Sequence, residues 1–268
     1  MSGFKLACHL IQFGGEEKRD LEGVLRAVAD TGWEGVEGLG AADAEELVAK
    51  ATIARRFGLH AVNVHHSGGD AVESVKYNIT LGNGAAEVPA RARKDWGGDD
   101  PSHADFERAA RSLDEVLAFC REHRIKGFHH AHLWTMIETV EDAERLLAAA
   151  PELWLLYDTG HLVAGRSDPL DVFRSERLRS RIGHVHLKDF HADDPATWNH
   201  HSSKFGERGR FAELGRGNMG LDVKAVMKGL ESVGYDGWIS VELDWPFPPK
   251  PAAEAAKANR EYLRGLGY

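Results

Sequence analysis

Leu153-Trp-Leu-Leu-Tyr-Asp158-Thr-Gly-His161 is a short apolar run that stops abruptly at a carboxylate, a glycine and an imidazole. A run of about 4–8 apolar residues bounded by turn residues is the pattern of a strand buried on both faces, as in a parallel sheet. Pro151 before it and Gly160 after it favour a strand over a buried helix segment. Such a strand carries Asp158 and His161, two metal-capable side chains, at its carboxyl end, where parallel-strand barrels build their active sites. The structural alternative is a buried aspartate capping the next turn and a histidine satisfied by backbone.

The same grammar recurs on both sides of this run. Apolar segments at residues 127–132, 181–189 and 237–244 each end in histidine or carboxylate, and upstream strands are expected at 4–11, 35–39 and 59–66. Between them the apolar spacing is helical. Leu21, Val24, Leu25 and Val28 mark a buried face in 20–30, the helix of 44–57 stops at Gly58, and Leu113, Val116, Leu117 and Cys120 line one side of 103–123. Thr139 opens a further helix in capping-box style, with Asp142 in the place of Glu or Gln. Helices are also expected at 221–233, ended by Gly234, and at 251–266, after Pro246, Pro248 and Pro249. Residues 67–102 are the least legible: 76–81 reads as the fourth strand, 82–84 as a turn, and 87–101 as a long polar loop, either a lid or an excursion without function. Strand and helix alternate throughout, which is the signature of parallel β/α units. Counting the fourth gives eight strands, so the expected fold is α/β, a single (β/α)8 TIM barrel spanning residues 1–268. A doubly wound open sheet competes, but no Gly-x-Gly-x-x-Gly turn follows the first strand.

Composition bounds the function. A formal net charge of −9 and a pI near 5.9 argue against sequence-independent binding to nucleic acid or to anionic membranes. With only Cys8 and Cys120, no disulfide framework is implied. Met1-Ser-Gly-Phe-Lys lacks the apolar core of a signal peptide, and no apolar run approaches the roughly 18 residues of a membrane helix. The expectation is a soluble, cytoplasmic protein, and a homo-oligomer is compatible with it. The 15 histidines cluster at the ends of apolar runs (His65-His66, His129-His130-Ala-His132, His184-Val-His186), which a scattered surface population would not do.

Candidate ligands therefore stand at four strand ends: His130 and His132, Asp158, His186, and Glu242. Residues two apart share a side of a strand, so His130 faces with His132 and His184 with His186. Nitrogen mixed with carboxylate oxygen suits one divalent ion such as Mn²⁺, Co²⁺ or Zn²⁺ better than Ca²⁺. His161, His132 and His65 are acid/base candidates, and Glu242 has a spare oxygen that would let it double as base. Glu37 is either a substrate contact or a salt-bridge partner, and Lys188 and Asp189 are placed to orient His186. His200-His201 reads as loop decoration, Trp33, Trp154 and Trp238 as core, and Gly215-Arg-Gly217 as a turn rather than a phosphate cradle.

Asp158-Thr-Gly-His161, His184-Val-His186-Leu-Lys-Asp189 and Gly234-Tyr-Asp-Gly-Trp-Ile-Ser-Val-Glu242 resemble the xylose-isomerase-like TIM-barrel superfamily of sugar isomerases and epimerases, inosose dehydratases and apurinic endonucleases. The resemblance is best over residues 126–268. The inosose dehydratase branch is nearest, on the His-x-His strand with Thr135 and Glu138-Thr139 downstream and on the tail at 255–263. It implies one divalent ion held from four strands, with the last three ligands on Asp158, His186 and Glu242. The first falls on His130, ahead of His132, where epimerases carry a glutamate that doubles as a base. The arginine that epimerases place after the histidine ligand is also replaced, by Phe190-His191-Ala192. Two-base epimerisation is weakened by that departure, while one-sided proton abstraction with elimination remains. The resemblance thus implies a metal-dependent lyase or isomerase that removes the α-proton of a cyclic keto-polyol or keto-sugar and stabilises the enolate. His161, Glu242 and His132 would be catalytic, and Glu37, His65 and Lys188 would bind substrate. Competing readings are a sugar or sugar-phosphate isomerase or epimerase and a 3-keto-glycoside lyase. An apurinic endonuclease is opposed by the acidic balance, and a non-catalytic sugar-binding subunit by the intact ligand residues.

Overall fold

Eight short parallel strands make the central sheet: β1 (Lys5–His9), β2 (Gly35–Glu37), β3 (His60–Ala61), β4 (Ala85–Glu87), β5 (Lys126–His130), β6 (Trp154–Asp158), β7 (Ile182–Leu187) and β8 (Trp238–Val241). They come from a computed structural model that describes residues 3–244 and 249–268. Their order is β3-β2-β1-β8-β7-β6-β5-β4, so strands consecutive in the chain are neighbours and β1 also pairs β8. Among the described residues no ladder joins β3 to β4, and side-chain amides bridge that seam instead. Asn83 Nδ2 donates to the Ala61 carbonyl (3.1 Å), and the Glu87 amide donates to Asn63 Oδ1 (3.1 Å). The cyclic order and this bridged seam make the sheet the (β/α)8 barrel expected from the sequence.

Helices fill the crossovers: α1 (Leu21–Asp30), α2 (Ala44–Arg56), α3 (Ala71–Leu81), α4 (His103–Arg111), α5 (Asp114–Glu122), α6 (Val140–Ala149), α7 (Thr159–Ala164), α8 (Asp171–Arg174), α9 (Glu176–Arg179), α10 (Val223–Ser232) and α11 (Ala252–Gly265). Side-chain oxygens of Asp20, Asp43, Asp70, Thr139 and Asp222 accept first-turn amides of five of them, leaving fewer orphan donors. Among the described residues no helix is long and apolar enough to cross a membrane. Pro246 and Pro248, expected as breakers before α11, lie outside the described residues.

Three sequence expectations are corrected here. Residues 76–81 belong to α3, capped by Asp70 and closed by Gly82 in the left-handed region, and the fourth strand follows at 85–87. Val72, Val75 and Ile79 recur at helical spacing, and that outweighs the β-branched look of the segment. The helix at 103–123 is two helices, interrupted at Ser112-Leu113. Only His60–Ala61 of the segment 59–66 joins the barrel, because His65–His66 pairs instead with Gly40–Ala41 in a small parallel sheet above it.

A second departure from plain alternation follows β7. Asp189–Ala192 and Gly209–Ala212 form an antiparallel hairpin, with the excursion 193–208 between them. Phe190, Trp198, Phe211, Leu133, Val163 and Leu243 make a satellite core beneath it. Asp189 does not orient His186: its Oδ2 accepts the amides of Gly215 and Gly217 (3.0 and 2.9 Å), so that turn cradles the protein's own carboxylate. The polar segment after β4 is tied down as well, through Arg93, which is buried and whose amide donates to the Trp134 carbonyl. Trp33 is buried, while Lys126 lies over Trp154 and His60 stacks on Trp238.

Candidate metal centre and active-site cavity

The register of adjacent strands decides which side chains meet. Asp158 on β6 is the direct partner of His186 on β7, and His186 pairs with Ser240 on β8, so Glu242 follows two residues beyond on the same side. His130 ends β5, next to β6. One donor atom from each of His130, Asp158, His186 and Glu242 lies within 4.8 Å of the others. His130 Nε2 is 3.2 Å and His186 Nδ1 3.6 Å from Asp158 Oδ2. His132, the other candidate on its strand, turns aside, with its Nδ1 2.7 Å from the Leu133 carbonyl.

Charge in this cluster is balanced by neighbours that the carboxylates themselves hold in place. Lys188 is fully buried and donates from Nζ to Glu242 Oε1 at 2.6 Å, with Asp244 at 3.6 Å and Asp158 at 3.8 Å. Burial would raise the Asp158 and Glu242 carboxyls, but Lys188, with His161 beside the first and His186 beside the second, holds both well below the usual range. Burial likewise depresses His186, and Glu37 and Glu242 overcome it and raise the imidazole well above its ordinary value. His130 has weaker anionic company, and burial brings it down to about 4. Glu37 is buried among His184 (2.7 Å), His186 (3.1 Å) and the Asn63 amide (2.7 Å).

The residues fit a divalent ion on two grounds. His186 Nδ1 and Glu242 Oε2 are buried, 2.6 Å apart and without hydrogen-bond alignment, as two donor atoms aimed at one point would be. The set of two imidazole nitrogens and two carboxylates is one that transition ions take readily.

This cluster opens on a cavity of about 1130 Å³, lined among others by His9, Glu37, His65, His130, His132 and Glu242. Of the expected substrate contacts, Glu37 and His65 line it, whereas Lys188 lies behind Glu242 and does not. His161, expected as an acid or base, is also set back from the lining. Its amide caps on Asp158 Oδ1 (2.8 Å), its Nδ1 accepts the Leu133 amide (3.2 Å), and its ring lies 3.7 Å from that of His132.

Residues 25–266 match the family model described as Xylose isomerase-like TIM barrel. The chain belongs to that family. It is similar to inosose dehydratase of Lacticaseibacillus casei, 33% identical over 171 residues, or 60% of this chain and 56% of the relative. Inosose dehydratase of Clostridium tetani is 33% identical over 166 residues, 60% of this chain and 54% of the relative. The matched region therefore spans little more than half the length of these curated relatives. Among solved structures, a xylose isomerase-like TIM barrel protein from Mycobacterium smegmatis in complex with magnesium superposes with a TM-score of 0.72 at 16% identity, covering 99% of this chain and 98% of that one. The IOLI protein with a zinc atom gives 0.71 at 16% identity, covering 98% of each chain. A probable 3-DHS dehydratase from Bacillus anthracis gives 0.68 at 16%, covering 97% and 99%.

Four residues of this xylose isomerase-like site escape a reading of the sequence: His9, Asn63, Glu87 and Asp244. His9 stands at the end of β1, where the strand-end rule that selects His130 also applies, and it groups with Glu37 and His186. Asp244 sits two residues beyond Glu242, so the same alternation would select it. Glu87 faces His130 at 3.8 Å, and burial pushes its carboxyl up to about 7. Its strand carries no signal of its own, because the β-branched stretch at 76–81 suggests a fourth strand ahead of it. Asn63 has a left-handed backbone (φ 45°), and no local sequence signal marks its amide as the seam between β3 and β4.

Proposed function

We propose that this chain is a metal-dependent carbon–oxygen lyase or isomerase that removes the α-proton of a cyclic keto-polyol or keto-sugar, in the manner of an inosose dehydratase. The observation that carries the reading is the convergence of His130, Asp158, His186 and Glu242 on one point at the wall of a large polar cavity. A divalent ion bound by these four would supply Lewis acidity toward a substrate ketone. The magnesium and zinc in two structural neighbours support a divalent ion without fixing its identity. Residues 1–268 are read as one domain in the cytoplasm, acting on a small molecule and on neither nucleic acid nor membrane.

The chain's own residues divide the rest of the work. His132 is the base. Its Nδ1 must carry the proton to donate to the Leu133 carbonyl, which leaves a lone pair on Nε2 of a ring that lines the cavity. His161 is a positioning residue, because its ring backs His132 and its amide fixes Asp158. Lys188 holds one oxygen of Glu242 and so leaves the other turned to the centre. Glu37, held by His184, His186 and Asn63, presents fixed polar atoms to hydroxyl groups of a substrate. His9 on the opposite wall is suited to hydrogen-bond a departing hydroxyl, since its Nδ1 accepts the Ile11 amide and its proton therefore sits on Nε2, and the hydroxyl leaves as water with the proton that His132 has taken.

The decisive experiment is a panel of keto-inositols, ketohexoses and 3-keto-glycosides incubated with metal-loaded protein in D₂O. Deuterium should enter the α-position of one class, and His132→Gln should slow that exchange by roughly 10²–10⁴ with metal still bound. Exchange that is absent from every class, or unaffected by His132→Gln, would overturn the reading.

A further inference from the structure

A second convergence of donors lies outside this centre, where three segments meet at the barrel rim. Glu138 belongs to the connection between β5 and α6, His200 and His201 to the excursion 193–208, and Arg93 and Asp99 to the segment after β4. His200 Nε2 is 3.2 Å and His201 Nε2 3.4 Å from Glu138 Oε2. The three donor atoms fall within 4.8 Å of one another. His200 is 8% exposed, and its buried Nε2 has no hydrogen-bond partner despite facing the carboxylate. The Nε2 thus faces Glu138 Oε2 at 3.2 Å without the alignment of a hydrogen bond, the arrangement of two donor atoms that share a target.

We propose that Glu138, His200 and His201 bind a zinc ion that pins these three segments together. Two imidazoles and one carboxylate are a recognised zinc set, with water completing the tetrahedron. Zinc–nitrogen bonds of about 2.0–2.1 Å place ligand atoms about 3.4 Å apart along a tetrahedral edge, and the two measured spacings meet that requirement. The Trp134 amide donates to Glu138 Oε1 (2.5 Å) and Arg93 Nε stands 3.1 Å from Oε2, contacts that suit a carboxylate at this position. The Arg93 guanidinium does not cancel the site, because its charge is matched by Asp142 and its other N–H groups are spread over the Thr135 and Asp99 carbonyls. Asp99 Oδ1 lies 3.4 Å from His201 Nδ1, the carboxylate–histidine arrangement that leaves Nε2 for the metal.

The test is isothermal titration of the chelator-stripped full-length chain with zinc, comparing wild type, Glu242→Ala, His201→Gln and the double variant, each checked for folding by circular dichroism. Glu242→Ala should retain one zinc per chain and the double variant none. Should wild type bind one ion that survives Glu242→Ala and disappears in His201→Gln, the barrel-centre reading fails and this one stands. Equal stoichiometry in Glu242→Ala and the double variant, or no zinc bound by folded Glu242→Ala, would overturn it. If the double variant does not fold, Asp99→Asn in the Glu242→Ala background replaces it. Its affinity should fall about 10–100-fold, and an unchanged affinity counts against the site.

Discussion

Lys188 joins full burial and charge in a single residue. A fully buried ammonium is tolerated only because Glu242, Asp244 and Asp158 surround it. Lys188→Met removes the cation and leaves those carboxylates facing one another, which costs about 3–5 kcal/mol in the metal-free protein. Urea denaturation should show that loss, and saturating divalent ion should recover part of it, since the ion supplies the missing positive charge. A loss that added metal leaves untouched would mean that Lys188 acts through packing alone. The cysteines offer a contrasting test. Burial pushes the Cys8 thiol up to about 12 and Cys120 to about 11. At pH 8 the Cys8 thiolate fraction is then roughly 10⁻⁴, so iodoacetamide should label neither residue until the chain is unfolded, as mass spectrometry would read directly.

Elements of this fold are held by a few polar contacts where ladders or helices stop. The Gly215–Gly217 turn wraps Asp189 so tightly that a Cβ at Gly217 would overlap Asp189 Oδ1 and the Phe190 carbonyl. Gly217→Ala should therefore displace the hairpin after β7 and destabilise the protein by about 1–3 kcal/mol, with the loss visible as a lower denaturation midpoint at unchanged m-value. The seam between β3 and β4 depends similarly on Asn63, which donates to Glu37 and accepts from the Glu87 amide. Strand ends were legible in the sequence wherever a short apolar run with aromatic or β-branched content stops at a polar residue, as in Trp154–Asp158 and Ile182–Leu187. Ala85–Glu87 was not, because alanine and glutamate carry no strand preference and only pairing with β5 makes the segment extended. His130, Asp158, His186 and Glu242 could be picked out as strand-end residues. That His161 stands behind His132 and Lys188 behind Glu242 could not, since depth relative to a cavity has no local pattern.

At the scale of the whole molecule, a divalent ion at the proposed centre would be linked to the fold by mass action. An ion that binds only the folded barrel stabilises it by about 2.7 kcal/mol at a hundredfold excess over its Kd, which corresponds to a rise in Tm of about 5–10 °C for a chain of this size. Scanning calorimetry with and without EDTA should show that difference, and Asp158→Ala should abolish the part contributed by the barrel centre. A net charge of −9 adds the expectation of no sub-micromolar binding to duplex DNA at physiological salt, which a gel shift would check. The amino-acid sequence by itself determined the repeating β/α order, the Thr139 cap, the helix stops at Gly58 and Gly234 and the chemistry offered at most strand ends, because periodicity, capping and turn preference act over a few residues. Only the tertiary structure decided which of those groups meet. Glu37 contacts His184 across 147 residues, and Glu138 meets His200 from separate loops, because barrel closure and strand register set these approaches. The ionisation of Asp158, His186 and Glu242 follows from the same approaches, since a buried charge is fixed by its neighbours in space.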